Sequence, residues 1–116
     1  MKILKIKKND EIICSYVEDA SNFFRRFMGL MYRKSIPRDH GLLLTPCNEI
    51  HTFGMRFDID TVAVSKDGEV LFIDRAVGPN KVRKKVNGCY SILELNSGVS
   101  DELGIQIGDR LEFISE

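Results

Sequence analysis

At 116 residues with 43% hydrophobic content, the chain is long enough to bury a core without disulfides or a structural metal. Its 17 basic and 17 acidic residues cancel, and a pI near 6.7 argues against a general nucleic-acid or anionic-membrane binder. Cys14, Cys47 and Cys89 are odd in number and widely spaced, which fits thiols in a reducing cytoplasm better than a disulfide framework.

The opening residues, Met1 to Lys8, alternate charged and apolar side chains without a continuous apolar run, so no signal peptide is expected. No stretch reaches transmembrane length. A single domain over residues 1–116 is expected, in a cytoplasmic protein.

Ile3 to Lys7 and Ile12 to Val17 are short β-branched runs around Lys8-Asn9-Asp10, which predicts a hairpin. Asp19-Ala20-Ser21-Asn22 then offers N-cap residues ahead of Phe23, Phe24, Phe27, Met28 and Met31 at helical spacing. These apolar residues read as the core face of one amphipathic helix. Ser35 to Gly41 is rich in breakers, with His40 as a solvated loop residue, and Leu42-Leu43-Leu44 follows as a brief buried strand.

From Thr45 to Asp60 the sequence concentrates polar, sulfur, aromatic and charged side chains. As an extended segment it would place His51, Phe53, Met55, Phe57 and Ile59 on one mostly apolar face, and Thr52, Gly54, Arg56 and Asp58 on the other. After Asp60 the apolar parity shifts to Val62 and Val64, which predicts a bulge or turn near Asp58-Ile59-Asp60.

Lys66-Asp67-Gly68 between Thr61 to Ser65 and Glu69 to Ile73 is a strong hairpin signal. Gly78 to Gly88 reads as a loop carrying the basic cluster Lys81, Arg83, Lys84 and Lys85, a solvated segment or a holder of a phosphate or acidic partner. Cys89 to Leu95 is a strand, Ser100 to Gly104 a short capped helical turn, and Arg110 to Ile114 a closing strand. The pattern predicts a mainly β, β-rich α+β fold: a compact antiparallel β-sandwich or barrel-like domain with one amphipathic helix and a short C-terminal helical turn. Turns rather than helical crossovers would join the strands.

Three chemistries fit the central stretch. Cys47 and His51 have the residue types of a nucleophile and its base, but four residues of extended strand span about 13 Å, so only a turn would bring them together. The same two residues with Asp58 or Asp60, completed by Cys89 or Cys14, suggest a metal site, without the paired spacing of structural zinc. The third reading is a ligand-binding segment formed by Cys47, Asn48, His51, Met55, Arg56 and Asp60. No Gly-x-Gly phosphate loop is present and no cofactor is implied.

Arg26-Phe27-Met28-Gly29-Leu30-Met31, Gly41-Leu42-Leu43-Leu44, Pro46 through Asp60, and Leu93-Glu94-Leu95 with Gly98 and Gly108-Asp109 together resemble the DUF192, or UPF0127, family. The resemblance runs from about Ala20 to Phe113. It implies a compact mainly β fold and no established activity, cofactor or catalytic residue. Many relatives carry an aromatic pair before the methionine and a proline before the isoleucine, where this chain has Phe53-Gly54 and Asp58. The expectation is a cytoplasmic domain that binds a small molecule or protein partner through Cys47 to Asp60, not nucleic acid or membrane. The alternative is an enzyme or metal-binding protein using Cys47, His51 and Asp58 or Asp60.

Overall fold

A computed structural model describes residues 2–22, 30 and 33–115. The helix expected over Phe23, Phe24, Phe27, Met28 and Met31 lies outside the described residues.

β1 (Ile3–Lys8) and β2 (Glu11–Ala20) form the expected hairpin, turning at Asn9 and Asp10 with φ of 51° and 63°. Short polar side chains tolerate that left-handed region, and two such residues match the twist of the flanking strands. β2 runs on through Asp19 and Ala20, so these are strand residues rather than helix caps.

The chain continues through β3 (His40–Leu44), β4 (Ile50–His51), β5 (Ile59–Ser65), β6 (Val70–Val77), β7 (Val82–Arg83) and β8 (Cys89–Asn96). It ends with α1 (Val99–Glu102) and β9 (Glu112–Ser115). His40 opens β3 and its ring stacks on Tyr16 at 3.9 Å, so it is part of the sheet surface and not a loop residue. Among the described residues no helix is long and apolar enough to cross a membrane.

The mainly β expectation holds, in the form of one mixed seven-stranded sheet ordered β6-β5-β8-β3-β2-β1-β9. β4 and β7 make a separate two-stranded ribbon. The sheet is not wholly antiparallel, because β2 and β3 pair in parallel. Parallel neighbours need a crossover that returns the chain to the same end, and residues 21–39 supply it.

The architecture is one curled sheet rather than a sandwich, and it does not close by a strand ladder. Its ends are drawn together by backbone bonds from Leu111 N to Gly68 O, Val70 N to Asp109 O and Gly108 N to Val70 O, each 2.8 Å. Glu69 and Arg110 form an isolated bridge there.

Side-chain alternation gives the sheet two cores. Ile6, Val17, Val62, Leu93 and Leu95, all fully buried, fill the inner face with Val64, Ile105 and Leu111. The outer face carries Ala20, Leu42, Leu44, Ile59, Val77 and Ile92, covered by Leu30, Ile36, Ile50 and Met55. Each large aliphatic side chain buried this way contributes about 1.5–3 kcal/mol. β5 is buried along both faces from Ile59 to Val64, as a central strand covered on two sides must be.

The stretch from Thr45 to Asp60 is not one extended segment. Only Ile50 and His51 before Ile59 pair as strand, Gly54 takes a φ of 77°, and Phe53 is 48% exposed. The bulge expected at Asp58 to Asp60 is present as a register shift between Ile59 and Thr61 against β6. The expected Gly78 to Gly88 loop contains β7, and Ser100 does not cap α1: Gly98, in the left-handed region, holds that position.

Candidate cleft between the ribbon and the outer sheet face

The β5–β6 register shift sets Arg75 and Ala76 of β6 against the single residue Asp60; Ala76 takes a φ of 52°, and its amide needs an acceptor outside the ladder. Asp60, with no solvent exposure, supplies one. Its Oδ1 accepts from Ala76 N at 2.9 Å, while Oδ2 accepts from Gly98 N, Ser100 N and Ser100 Oγ at 3.1, 3.1 and 2.6 Å. Both oxygens are thus committed to joining β5, β6 and the start of α1. Asp60 supports the fold and faces these donors rather than an opening.

Thr52 does the equivalent work for the ribbon. Fully buried, it donates from Oγ1 to Gly78 O and accepts from Lys81 N, each at 2.7 Å. Its backbone bonds Lys81 O and Asn80 N. With Val86 N donating to Asn48 O, these bonds hold residues 78–86 against the segment before them, arched over the sheet.

Beneath the arch lies a cleft of about 530 Å³. Thr61, Ala63 and Ile92 form its floor, Leu71, Phe72 and Asp74 one wall, and Glu49, Ile50, Val82 and Val86 the ribbon side. Arg83, Lys84 and Lys85 also line it, so three members of the basic cluster seen in the sequence converge on one opening. Arg83 Nε lies 3.1 Å from Asp74 Oδ2 but off the N–H axis, so the contact is ionic and this buried N–H has no aligned acceptor among the described residues.

None of the six residues singled out in the sequence lines the cleft. Cys47 Sγ donates to Glu49 O at 3.1 Å. His51 stacks on Phe53 at 5.1 Å, and its Nδ1 accepts from Phe53 N, so thiol and imidazole have separate partners. Met55 is buried in the outer core, Arg56 is exposed and Asn48 is half-buried. Their segment contributes to the cleft through Glu49 and Ile50. Among the described residues no three His, Cys, Asp or Glu side chains gather to hold a metal ion. Burial pushes the Cys14 and Cys89 thiols up from their ordinary range.

A second polar feature shares the outer face. Arg33 donates from both Nη atoms to Glu18 at 2.7 and 3.0 Å. Glu94 is 4% exposed, and its Oε1 has no hydrogen-bond partner among the described residues. Burial pushes its carboxyl up to about 7, and the nearby Arg33 charge offsets only part of that rise. In the sequence Glu94 stood in the Leu93-Glu94-Leu95 motif of the family resemblance, but its place between two leucines is the pattern of an exposed strand position.

The comparisons with known proteins agree with this fold. A UPF0127 protein of Pyrococcus furiosus is 30% identical over 116 residues, covering 96% of this chain and 97% of the relative. One from Thermococcus sibiricus is 29% identical over 113 residues, covering 92% of this chain and 71% of its own. A solved structure from Sinorhizobium meliloti, described as a candidate transcription regulator, is similar with a TM-score of 0.82 at 25% identity, over 97% of this chain and 92% of that one. A protein of unknown function from Novosphingobium aromaticivorans shares the fold, with a TM-score of 0.81 at 20% identity over 95% and 83%. With residues 4–113 matching the family described as DUF192, Uncharacterized ACR, COG1430, the chain belongs to that family.

Proposed function

We propose that the protein is a small-molecule binding domain whose ligand is an anion with an apolar body, seated in the cleft between the β4–β7 ribbon and the outer sheet face. The observation that carries this reading is the convergence of Arg83, Lys84 and Lys85 on a cleft with an apolar floor. Small-ligand sites commonly measure about 300–1,000 Å³ and combine apolar walls with a few placed polar groups. The segment from Cys47 to Asp60 takes part as the cleft's wall, through Glu49 and Ile50, and as the support of the ribbon, through Thr52. A cytoplasmic setting suits the odd cysteine count.

Calorimetric titration with 4-methylbenzoate and with phenyl phosphate tests the reading. Ligands of this size, at about 0.3 kcal/mol per heavy atom, bind in the millimolar range. One-site binding is expected, weakened about tenfold by Arg83→Ala through loss of a charge-assisted contact. His51→Ala and Arg56→Ala should leave it unchanged. Weakening by these two substitutions, with Arg83→Ala silent, would move the site to the Cys47 to Asp60 loop.

A further inference from the structure

The floor of the cleft continues inward along one row of the sheet. Asp74 stands opposite Thr61, Thr61 opposite Glu94, Glu94 opposite Leu42 and Leu42 opposite Glu18. Directly opposed residues share a face, so this row crosses the outer surface from the cleft to the Arg33 pair. Asp74 and Thr61 line the cleft, as does Ile92, two residues before Glu94 on the same face. Glu94 is the next side chain in.

Its neighbours along the row are already matched. Arg83 lies against Asp74 at one end, and both Arg33 Nη atoms are taken by Glu18 at the other. Glu94 lies between two arginines that belong to other carboxylates, with Oε1 buried and unpartnered among the described residues. Leaving such an acceptor unmade costs about 1–3 kcal/mol or more for a charged group, so a bound donor there would recover free energy.

Resting on the cleft reading, we propose that Glu94 is the inner polar contact of the ligand, which therefore carries an ammonium group at the end opposite its anion. The ligand class is a zwitterion with an apolar or aromatic middle. Glu94 and Asp74 are two strand spacings apart, roughly 10 Å, so a ligand that reaches both ends carries its two poles on opposite sides of its apolar middle.

The test compares 4-(aminomethyl)benzoate with 4-methylbenzoate by calorimetry at mildly alkaline pH, on the wild-type protein and on Glu94→Gln, with thermal melts confirming that the variant folds. The wild type should prefer the amine by about tenfold or more, the value of one charge-assisted hydrogen bond. Glu94→Gln should erase that preference and keep the affinity for 4-methylbenzoate. A wild type that binds both probes equally, or a preference that survives in Glu94→Gln, overturns the inference and leaves the cleft reading standing. If neither probe binds the wild type, the cleft reading fails and takes the inference with it.

Discussion

Glu94 binds its proton far more tightly in the folded protein than in the unfolded chain, because burial raises its carboxyl from 4.5 to about 7. Between those values the native state holds a proton that the unfolded state has released. Stability therefore falls as pH rises through this window and levels off above it, by about 3 kcal/mol in all. Glu94→Gln cannot ionise, so its denaturant unfolding should show a flatter pH profile and greater stability than the wild type above neutrality. Unchanged profiles would mean that the carboxylate finds a counter-charge in the native state. The sequence could not announce this residue. Flanked by Leu93 and Leu95 it has the alternation of a half-solvated strand, and its burial depends on the outer core laid over that face. Asp60 misled for a related reason: its donors come from Ala76, Gly98 and Ser100, all distant in sequence. The basic cluster was legible, since four cations within Lys81 to Lys85 suggest an anion wherever the fold sends them.

The β4–β7 ribbon contains two residues per strand, too few to hold its own place by pairing. Thr52 compensates, with a side chain that bonds Gly78 O and Lys81 N. Thr52→Val keeps the volume and removes both bonds, which should cost about 1–3 kcal/mol. Amide exchange at Asn80 and Lys81 should accelerate well before the large sheet opens, as expected of a local unit less stable than the whole. Exchange rising equally in β5 and β8 would instead make the ribbon part of the global folding unit. The ribbon was hard to read because its strands are shorter than any hydrophobic period. Alternation through Phe53 suggested one long strand, whereas Gly54, with its left-handed φ, turns the chain and leaves Phe53 half exposed. A bulge near Asp60 was expected from a change of apolar parity and is there, but its extra residue lies in β6; β5 keeps its alternation, and the parity changes because both of its faces are buried.

At the scale of the whole molecule the ends of the sheet meet in a close seam, and Gly68 sits in it. Its φ is +91°, and a Cβ there would lie 2.2 Å from Leu111 O, an acceptor on the opposite side of the seam. Gly68→Ala should therefore cost more than about 3 kcal/mol, combining backbone strain with a clash that parts the two ends. Gly108 has a φ of +92° with nothing within 4 Å of a Cβ, so Gly108→Ala should cost only the strain, about 1–2 kcal/mol. Chemical denaturation of the pair separates the two terms; equal losses would show that the seam yields. Mainly β character was legible from the short β-branched runs, and the Asp67-Gly68 turn predicted the β5–β6 hairpin. The parallel pairing of β2 with β3 was hidden because pairing is decided by where residues 21–39 deliver the chain, which no local pattern states.

The two-sided sheet also separates two kinds of event within single strands. Ile92 lies in the floor of the cleft and Leu93, the next residue, lies in the inner core. Isotopic labelling of isoleucine methyl groups would place reporters at Ile50 and Ile92 beside the ligand space, and at Ile6, Ile73 and Ile105 on the far side of the same backbone. Spectral movement confined to the first pair signals occupancy; movement shared with the other three signals a change in packing, so one titration distinguishes recognition from loosening without a substitution.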